Sequence, residues 1–365
     1  MTLTGLPLLL VLLVRAGGIC WATGVVWLRF SGVTALAVRA SMLALVMASG
    51  AVLFADVANR HYGFYTSFAE LTGGPSSASQ PASGPGSGLS PGTMERGRRA
   101  AESWRGTVIS LRLDGPRSHI HRTGLIYLPA PYFTAAGSRL RFSVVELFHG
   151  NPGGPRNWTG QMHLAATLDG EIAAGRMPPV IAVVPSYTRT VGGECVNTRA
   201  TADDTYLGVD VPALVARSLR VRTDLPSWAT MGYSTGANCA ISVAVHHPGT
   251  YVAAASLAGD SPSRARRHTA AGLDVLAAPR SLPPRWPALY LMGSRQDHAG
   301  TAALRALQRV AGTRTQVTTV VLANGGHNWR VWAAASIPAF DWLGARLPPA
   351  LAEPMPATLG RWPGR

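Results

Sequence analysis

Residues 228–240, WATMGYSTGANCA, place Ser234 between Gly232 and Gly236 in a G-x-S-x-G spacing. An apolar, strand-like run (Trp228–Met231) precedes it and a helix-like stretch (Gly236–His246) follows. Nucleophilic catalysis by a hydroxyl needs that context. A sharp strand-to-helix turn strains the serine backbone and presents Oγ above the sheet. Glycines two residues to either side remove side chains that would collide there. The new helix aims its first amides at the site, so Thr235 N–H is placed to stabilise an oxyanion. Spacing alone is weak, since chance supplies roughly 0.3 such matches in a chain this rich in glycine and serine. Gly88-Leu89-Ser90-Pro91-Gly92 has the same spacing. With no strand before it and no helix expected after it, Ser90 is predicted to be inert.

A nucleophilic serine also needs a base and an acid that orients the base, in the chain order serine, acid, histidine. The histidines after Ser234 are His246, His247, His268, His298 and His327. The first two end the helix after the serine and suit capping or packing. His327 lies in a Gly-rich loop, Ala323-Asn324-Gly325-Gly326-His327-Asn328-Trp329, after the strand-like run Val317–Leu322. Loops at the carboxyl ends of strands are where α/β sites assemble, which makes His327 the expected base. Asp260, Asp274 and Asp297 are the acids available before that loop. Asp297 is preferred because it follows the run Ala288–Met292 by a few residues, although an Asp there also suits capping of the next helix. Asp260, in Ala258-Gly259-Asp260 after Val252–Leu257, is the alternative acid. The second oxyanion amide is assigned to Asn151 in Phe148-His149-Gly150-Asn151-Pro152-Gly153-Gly154, since Pro152 and Pro155 carry no N–H.

The elements that must position these groups alternate along the chain. Strand-like runs are Thr107–Leu113, Gly124–Leu128, Phe142–Phe148, Val180–Pro185, Trp228–Met231, Val252–Leu257, Ala288–Met292 and Val317–Leu322. Helix-like stretches are Tyr206–Leu219, Gly236–His246, Ala299–Val310 and Val331–Leu343. Hairpin-like strands come first and strand–helix alternation follows. This predicts an α/β fold with a mostly parallel sheet flanked by helices and an antiparallel leading edge.

Upstream lie two apolar segments, Leu6 to Phe30 and Val33 to Ala55, each long enough for the ~20 residues of a bilayer-spanning helix. Two transmembrane helices are expected within residues 1–60, with a single signal anchor as the alternative. Arg29 and Arg39 bracket the turn between them, which would keep that turn cytoplasmic and place the rest of the chain outside. Residues 61–96 read as a Gly/Ser/Pro-rich linker, 97–347 as the catalytic domain and 348–365 as a C-terminal tail.

The net charge of +15 points towards phosphates, yet all 33 basic residues are arginine and they are scattered. The tightest cluster, Ser263-Arg264-Ala265-Arg266-Arg267-His268, is too short for a nucleic-acid track, so no nucleic-acid partner is expected. Cys20, Cys195 and Cys239 include no C-x-x-C pair. No metal and no organic cofactor are indicated, while Cys195 and Cys239 are a candidate disulfide.

Together these residues resemble the esterase D branch of the α/β-hydrolases, which includes S-formylglutathione hydrolases and mycolyltransferases. The resemblance covers roughly residues 105 to 345. It rests on HGNPGG, on Gly193-Glu194-Cys195-Val196-Asn197-Thr198 with Thr205-Tyr206-Leu207-Gly208-Val209-Asp210-Val211, on MGYSTGANCAISVAVHHP and on GGHNW. The two-helix start followed by Gly63-Phe64-Tyr65-Thr66-Ser67-Phe68 is similar to membrane-anchored esterases of this group. Thr235 and Ala237 depart from the Met and Gly common at those places. The resemblance implies a serine esterase or acyltransferase acting on a small-molecule or lipid ester, with Ser234 as nucleophile, His327 as base, Asp297 as acid, and Asn151 and Thr235 as oxyanion donors. A catalytically inactive, ligand-binding hydrolase fold is the alternative.

Overall fold

The computed structural model describes residues 6–27, 29, 31–62, 89–151, 153–187, 195–224, 226–259 and 283–352. The chain forms two units, Met1–Ala78 and Ser79–Arg365.

In the first unit, α1 (Leu6–Val26) packs against α2 (Gly32–Tyr62). Within Leu6–Val26 and Thr34–Arg60, 18-residue windows reach mean hydropathies of 2.0 and 1.9, and both helices are long and apolar enough to cross a membrane by length and composition. Large apolar side chains such as Val14, Trp21 and Phe54 stand exposed on them. Arg39 Nε donates to the Trp27 carbonyl oxygen at 3.1 Å, and its guanidinium lies over the Trp27 ring. Arg39, within α2, thus ties that helix to the backbone at the end of α1. α2 outlasts the expected segment because Arg60 pairs with Asp56 one helical turn earlier, at 2.7 Å.

The first described element of the second unit is an unexpected helix, α3 (Pro91–Glu102). A helix does follow Ser90, contrary to expectation. Ser90 Oγ accepts from Thr93 N–H at 3.3 Å, and Pro91 stands at the first helical position. Serine then proline is a helix start, and glycines nearby disguised it. The expected linker boundary at residue 96 falls inside this helix; residues 63–88, including the Gly63–Phe68 stretch, lie outside the described residues.

Next come β1 (Thr107–Gly115), β2 (Ile120–Leu128), β3 (Leu140–Arg141), β4 (Ser143–Phe148), α4 (Arg156–Thr159), α5 (Leu164–Ala173) and β5 (Val180–Val184). Asp203–Thr205 and the π-helical turn Tyr206–Asp210 lead into α6 (Val211–Ser218). Then follow β6 (Trp228–Tyr233), α7 (Thr235–His246), β7 (Tyr251–Leu257), β8 (Ala288–Ser294), α8 (His298–Ala311), β9 (Val317–Leu322), α9 (Trp329–Gly344) and β10 (Leu351–Ala352).

Among the described residues, eight strands form one sheet in the order β1-β2-β5-β4-β6-β7-β8-β9. β1, β2 and β5 pair antiparallel, and every pair from β5 through β9 is parallel. This is the expected mostly parallel sheet with an antiparallel leading edge. The strands β4 to β7 are buried on both faces because helices cover both sides, and each face carries its own core. The order reverses at β4, so the loops leaving β4 and β6 open at a switch point on the carboxyl edge.

Residues 348–352, expected as tail, lie on this domain. β10 pairs with β3, Ser143 Oγ donates to the Pro348 carbonyl at 2.6 Å, and Arg222 Nη1 donates to that of Pro349 at 2.5 Å.

Cys195 and Cys239 are joined, across a sequence separation of 44. The bond ties the segment ahead of α6 to the middle of α7, the helix behind Ser234. Closing a loop of that length is worth about 4 kcal/mol by restricting the unfolded chain. The double substitution Cys195→Ser, Cys239→Ser is therefore expected to lose about that much stability in denaturant titrations. An unchanged midpoint would mean that the bond restrains little.

Candidate active site

Ser234 sits between β6 and α7 with φ 55° and ψ −129°, a conformation that costs an L residue on the order of 1–3 kcal/mol. Neighbouring backbone holds it there. Ser234 N–H donates to Leu257 O at 3.1 Å, and Ala237 N–H donates to Ser234 O at 3.0 Å. The flanking glycines are required by contact. A Cβ on Gly232 would lie 2.0 Å from Gly236 O, and one on Gly236 would lie 2.4 Å from Phe148 O. The turn can form only where backbone meets backbone, and it presses α7 onto the exit of β4.

Ser234 Oγ lies 2.8 Å from His327 Nε2, and His327 Nδ1 lies 2.7 Å from Asp297 Oδ2. Three segments spanning 93 residues thus meet above the carboxyl edge. Asp297 is 7% exposed and Ser234 6%, so both groups work out of bulk water. Asp297 makes two contacts at once: its Oδ1 accepts from Gly300 N–H at 3.0 Å and caps α8, while Oδ2 faces the imidazole. Burial pushes the Asp297 carboxyl up, but bonds from His327 and the Gly300 amide outweigh it and hold the group below the usual carboxylate range. It therefore meets the imidazole as a carboxylate.

His327 is placed by contacts that the sequence did not reveal. Ser294 Oγ donates to Gly325 O, and Gly325 N–H donates to Gln296 Oε1 at 2.9 Å. Gly325 has φ 117°, open to glycine, and this lets the loop fold back onto the acid's own turn. Trp332 meets the imidazole edge-on, with centroids 4.8 Å apart. Asn328 closes the loop by capping α9 through Arg330 and Val331 N–H.

Thr235 opens α7, where its amide has no carbonyl one turn earlier. Asn151 follows Gly150, whose Cβ, if present, would lie 3.0 Å from Ser234 Cβ, so the backbone just before Asn151 packs on the serine turn. Tyr187, just beyond β5, donates its hydroxyl to the His149 carbonyl; no motif pointed to it. Asp260 and Asp274, and the arginine cluster at 263–268, lie outside the described residues. His246 and His247 do not join the site. Both meet Asp204, at 3.3 and 3.2 Å, and hold its carboxyl down at about 2 against the effect of burial. The Tyr206–Asp210 stretch is likewise structural: Asp210 Oδ2 accepts from Ser118 N–H at 2.8 Å, and Gly208 leaves room for the His247 ring. No group of three or more His, Cys, Asp or Glu among the described residues is placed to hold a metal ion.

One further acid lies beneath the site. Glu146 on β4 is fully buried; burial raises its carboxyl to about 8, although Tyr251 Oη donates to its Oε2 at 2.6 Å. It therefore stays protonated in the fold where the unfolded chain ionises near 4.5. A raised folded-state value means that the unfolded state binds fewer protons across this window, so stability is full at low pH and falls as pH rises from about 4.5 to 8. Glu146→Gln should flatten that slope, which should be worth about 4 kcal/mol between pH 5 and 9 in denaturant titrations at pH 5, 7 and 9. Parallel profiles for the two proteins would contradict the assignment.

Residues 119–343 match the family model described as "Putative esterase". An uncharacterised protein of Corynebacterium glutamicum is 28% identical over 247 residues, or 62% of this chain; the chain spans 57% of that relative's length. Among solved structures, a ferulic acid esterase superposes with a TM-score of 0.58 at 16% identity, over 67% of this chain and 99% of the other. S-formylglutathione hydrolases from Staphylococcus aureus and Agrobacterium tumefaciens each give 0.52 at 14% identity. They cover 65% and 67% of this chain and 98% and 97% of their own. At these identities the structures establish a shared α/β-hydrolase fold.

Proposed function

This chain belongs to that esterase family, and on that premise we propose that it is a membrane-anchored serine esterase that cleaves carboxylic esters through an acyl-enzyme. The observation that carries the reading is the unbroken line from Ser234 Oγ through the His327 imidazole to Asp297, at 2.8 and 2.7 Å, on a serine with φ 55°. In this reading Ser234 Oγ attacks the ester carbonyl while His327 Nε2 takes its proton. Asp297 holds the imidazole with Nδ1–H towards itself and stabilises the imidazolium. The Thr235 and Asn151 amides receive the oxyanion, each such donor being worth roughly 3 kcal/mol. Collapse breaks the ester C–O bond, and His327 returns the proton to the departing alcohol. Water, or an alcohol of the cell envelope, then attacks the acyl-serine by the same steps reversed.

The apolar helices α1 and α2 support anchoring, and Arg29 and Arg39 at their turn support a cytoplasmic turn with the catalytic domain outside. The Cys195–Cys239 bond supports an oxidising compartment. Protease added outside intact cells should then digest the domain, and protection until lysis would reverse the orientation.

A shared acyl-enzyme makes a specific demand. Esters with one acyl group and different leaving alcohols, each hydrolysed in the presence of a fixed acceptor alcohol, should give one ratio of hydrolysis to transfer. A ratio that follows the leaving alcohol would rule out the common intermediate. The same assay over p-nitrophenyl esters of increasing chain length reads acyl preference and the competence of sugar acceptors.

A further inference from the structure

The loop that holds Gly150 against the serine turn and continues into Asn151 contains Gly150, Gly153 and Gly154, a composition that does not by itself fix an amide direction. It is clamped from the next strand. β4 and β5 run parallel, so Tyr187, beyond the end of β5, reaches the same edge. Its ring stacks on His149 with centroids 4.3 Å apart and planes at 20°, and meets Phe148 edge-on. Its hydroxyl donates to the His149 carbonyl oxygen. His149 Nδ1 in turn lies 3.0 Å from the Gly150 carbonyl oxygen; since a carbonyl only accepts, Nδ1 carries the proton in that bond.

Two consecutive peptide planes are thereby held by their oxygens. The second plane, Gly150–Asn151, carries the Asn151 N–H, which in a trans peptide points opposite to the Gly150 oxygen. Holding that oxygen aims the amide. The other side of the loop is closed by Tyr233, whose Cε2 would lie 2.9 Å from a Cβ at position 150. We infer that Tyr187 is a positioning residue for ester cleavage, acting through His149 to fix the direction of the Asn151 N–H at the oxyanion. This deepens the esterase reading and rests on it.

Preorganisation of such a donor acts on the transition state rather than on substrate binding. Tyr187→Phe in the full-length protein keeps the ring stack and removes only the hydroxyl. With active sites counted by fluorophosphonate titration, kcat is expected to fall about 10- to 100-fold while KM stays within about twofold. The Ki of a trifluoromethyl ketone, which forms a tetrahedral oxyanion on Ser234, should rise by the factor by which kcat falls. His149→Phe, which keeps an aromatic stack without Nδ1, should give the same pattern, and the double variant should lose little more than the worse single one because the two act in series. A fall in thermal midpoint with unchanged kcat per active site and unchanged Ki would overturn the inference, as would additive losses in the double variant. Ser234→Ala run alongside separates the two failures. If it is dead while Tyr187→Phe is fully active, only the positioning role is lost; if it still turns over ester, the esterase site itself is misassigned.

Discussion

Ser234→Ala is expected to lower kcat for a p-nitrophenyl ester by about 10⁶-fold, leaving only the contribution of the oxyanion amides and of binding. The methyl group of alanine fits where the 6%-exposed serine sits, and the turn is held by backbone bonds to Leu257 and Ala237 that do not involve Oγ. Fold and substrate affinity should therefore be preserved. The loss should lie almost entirely in kcat, and His327→Ala should cost a similar amount, with the two together costing little more than either alone. That non-additivity marks groups acting as one unit, because an imidazole without a hydroxyl to deprotonate has nothing left to do. Independent, multiplying losses would mean that the two side chains serve separate steps.

Asp297→Asn is expected to cost about 10⁴-fold in turnover with little change in stability. The separation comes from the two bonds that the carboxylate makes. Asparagine can keep its oxygen on Gly300 N–H and remain a good cap for α8. Its NH₂ then faces His327 Nδ1, which must accept rather than donate. The imidazole proton moves to Nε2, the atom 2.8 Å from Ser234 Oγ, and the base can no longer take the serine proton. Asp297→Ala would mix this effect with loss of the cap, so the Asn variant is the cleaner one. Asp260→Asn is the matching control. If it abolishes turnover while Asp297→Asn is near normal, the acid is Asp260.

The meeting of Ser234, His327 and Asp297 was legible because the chemistry proposed for them restricts their order and place in the chain. Ser234 needs a strand before it and a helix after it, and few acids and histidines lie downstream at strand ends. The sheet was legible from apolar runs that a two-sided parallel sheet requires. The contacts that aim the site were not. Tyr187, Ser294 and Gln296 act through single hydrogen bonds to loop backbone, and no spacing rule encodes which loop a strand's exit will touch. Glu146 left a faint trace, as an acid within the apolar run Ser143–Phe148, but nothing near it in sequence named Tyr251 as its partner. α3 was missed for a different reason. Over residues 61–96 the composition is that of a linker, and within it the short signal Ser90-Pro91 is a helix start.

Fluorophosphonate labelling, with the adduct located by peptide mass spectrometry, tests most directly whether Ser234 alone is the activated hydroxyl. One adduct is expected, on the peptide bearing Ser234, present at wild-type rate in Ser90→Ala and absent in Ser234→Ala. An adduct on another residue, or labelling that persists in Ser234→Ala, would contradict it.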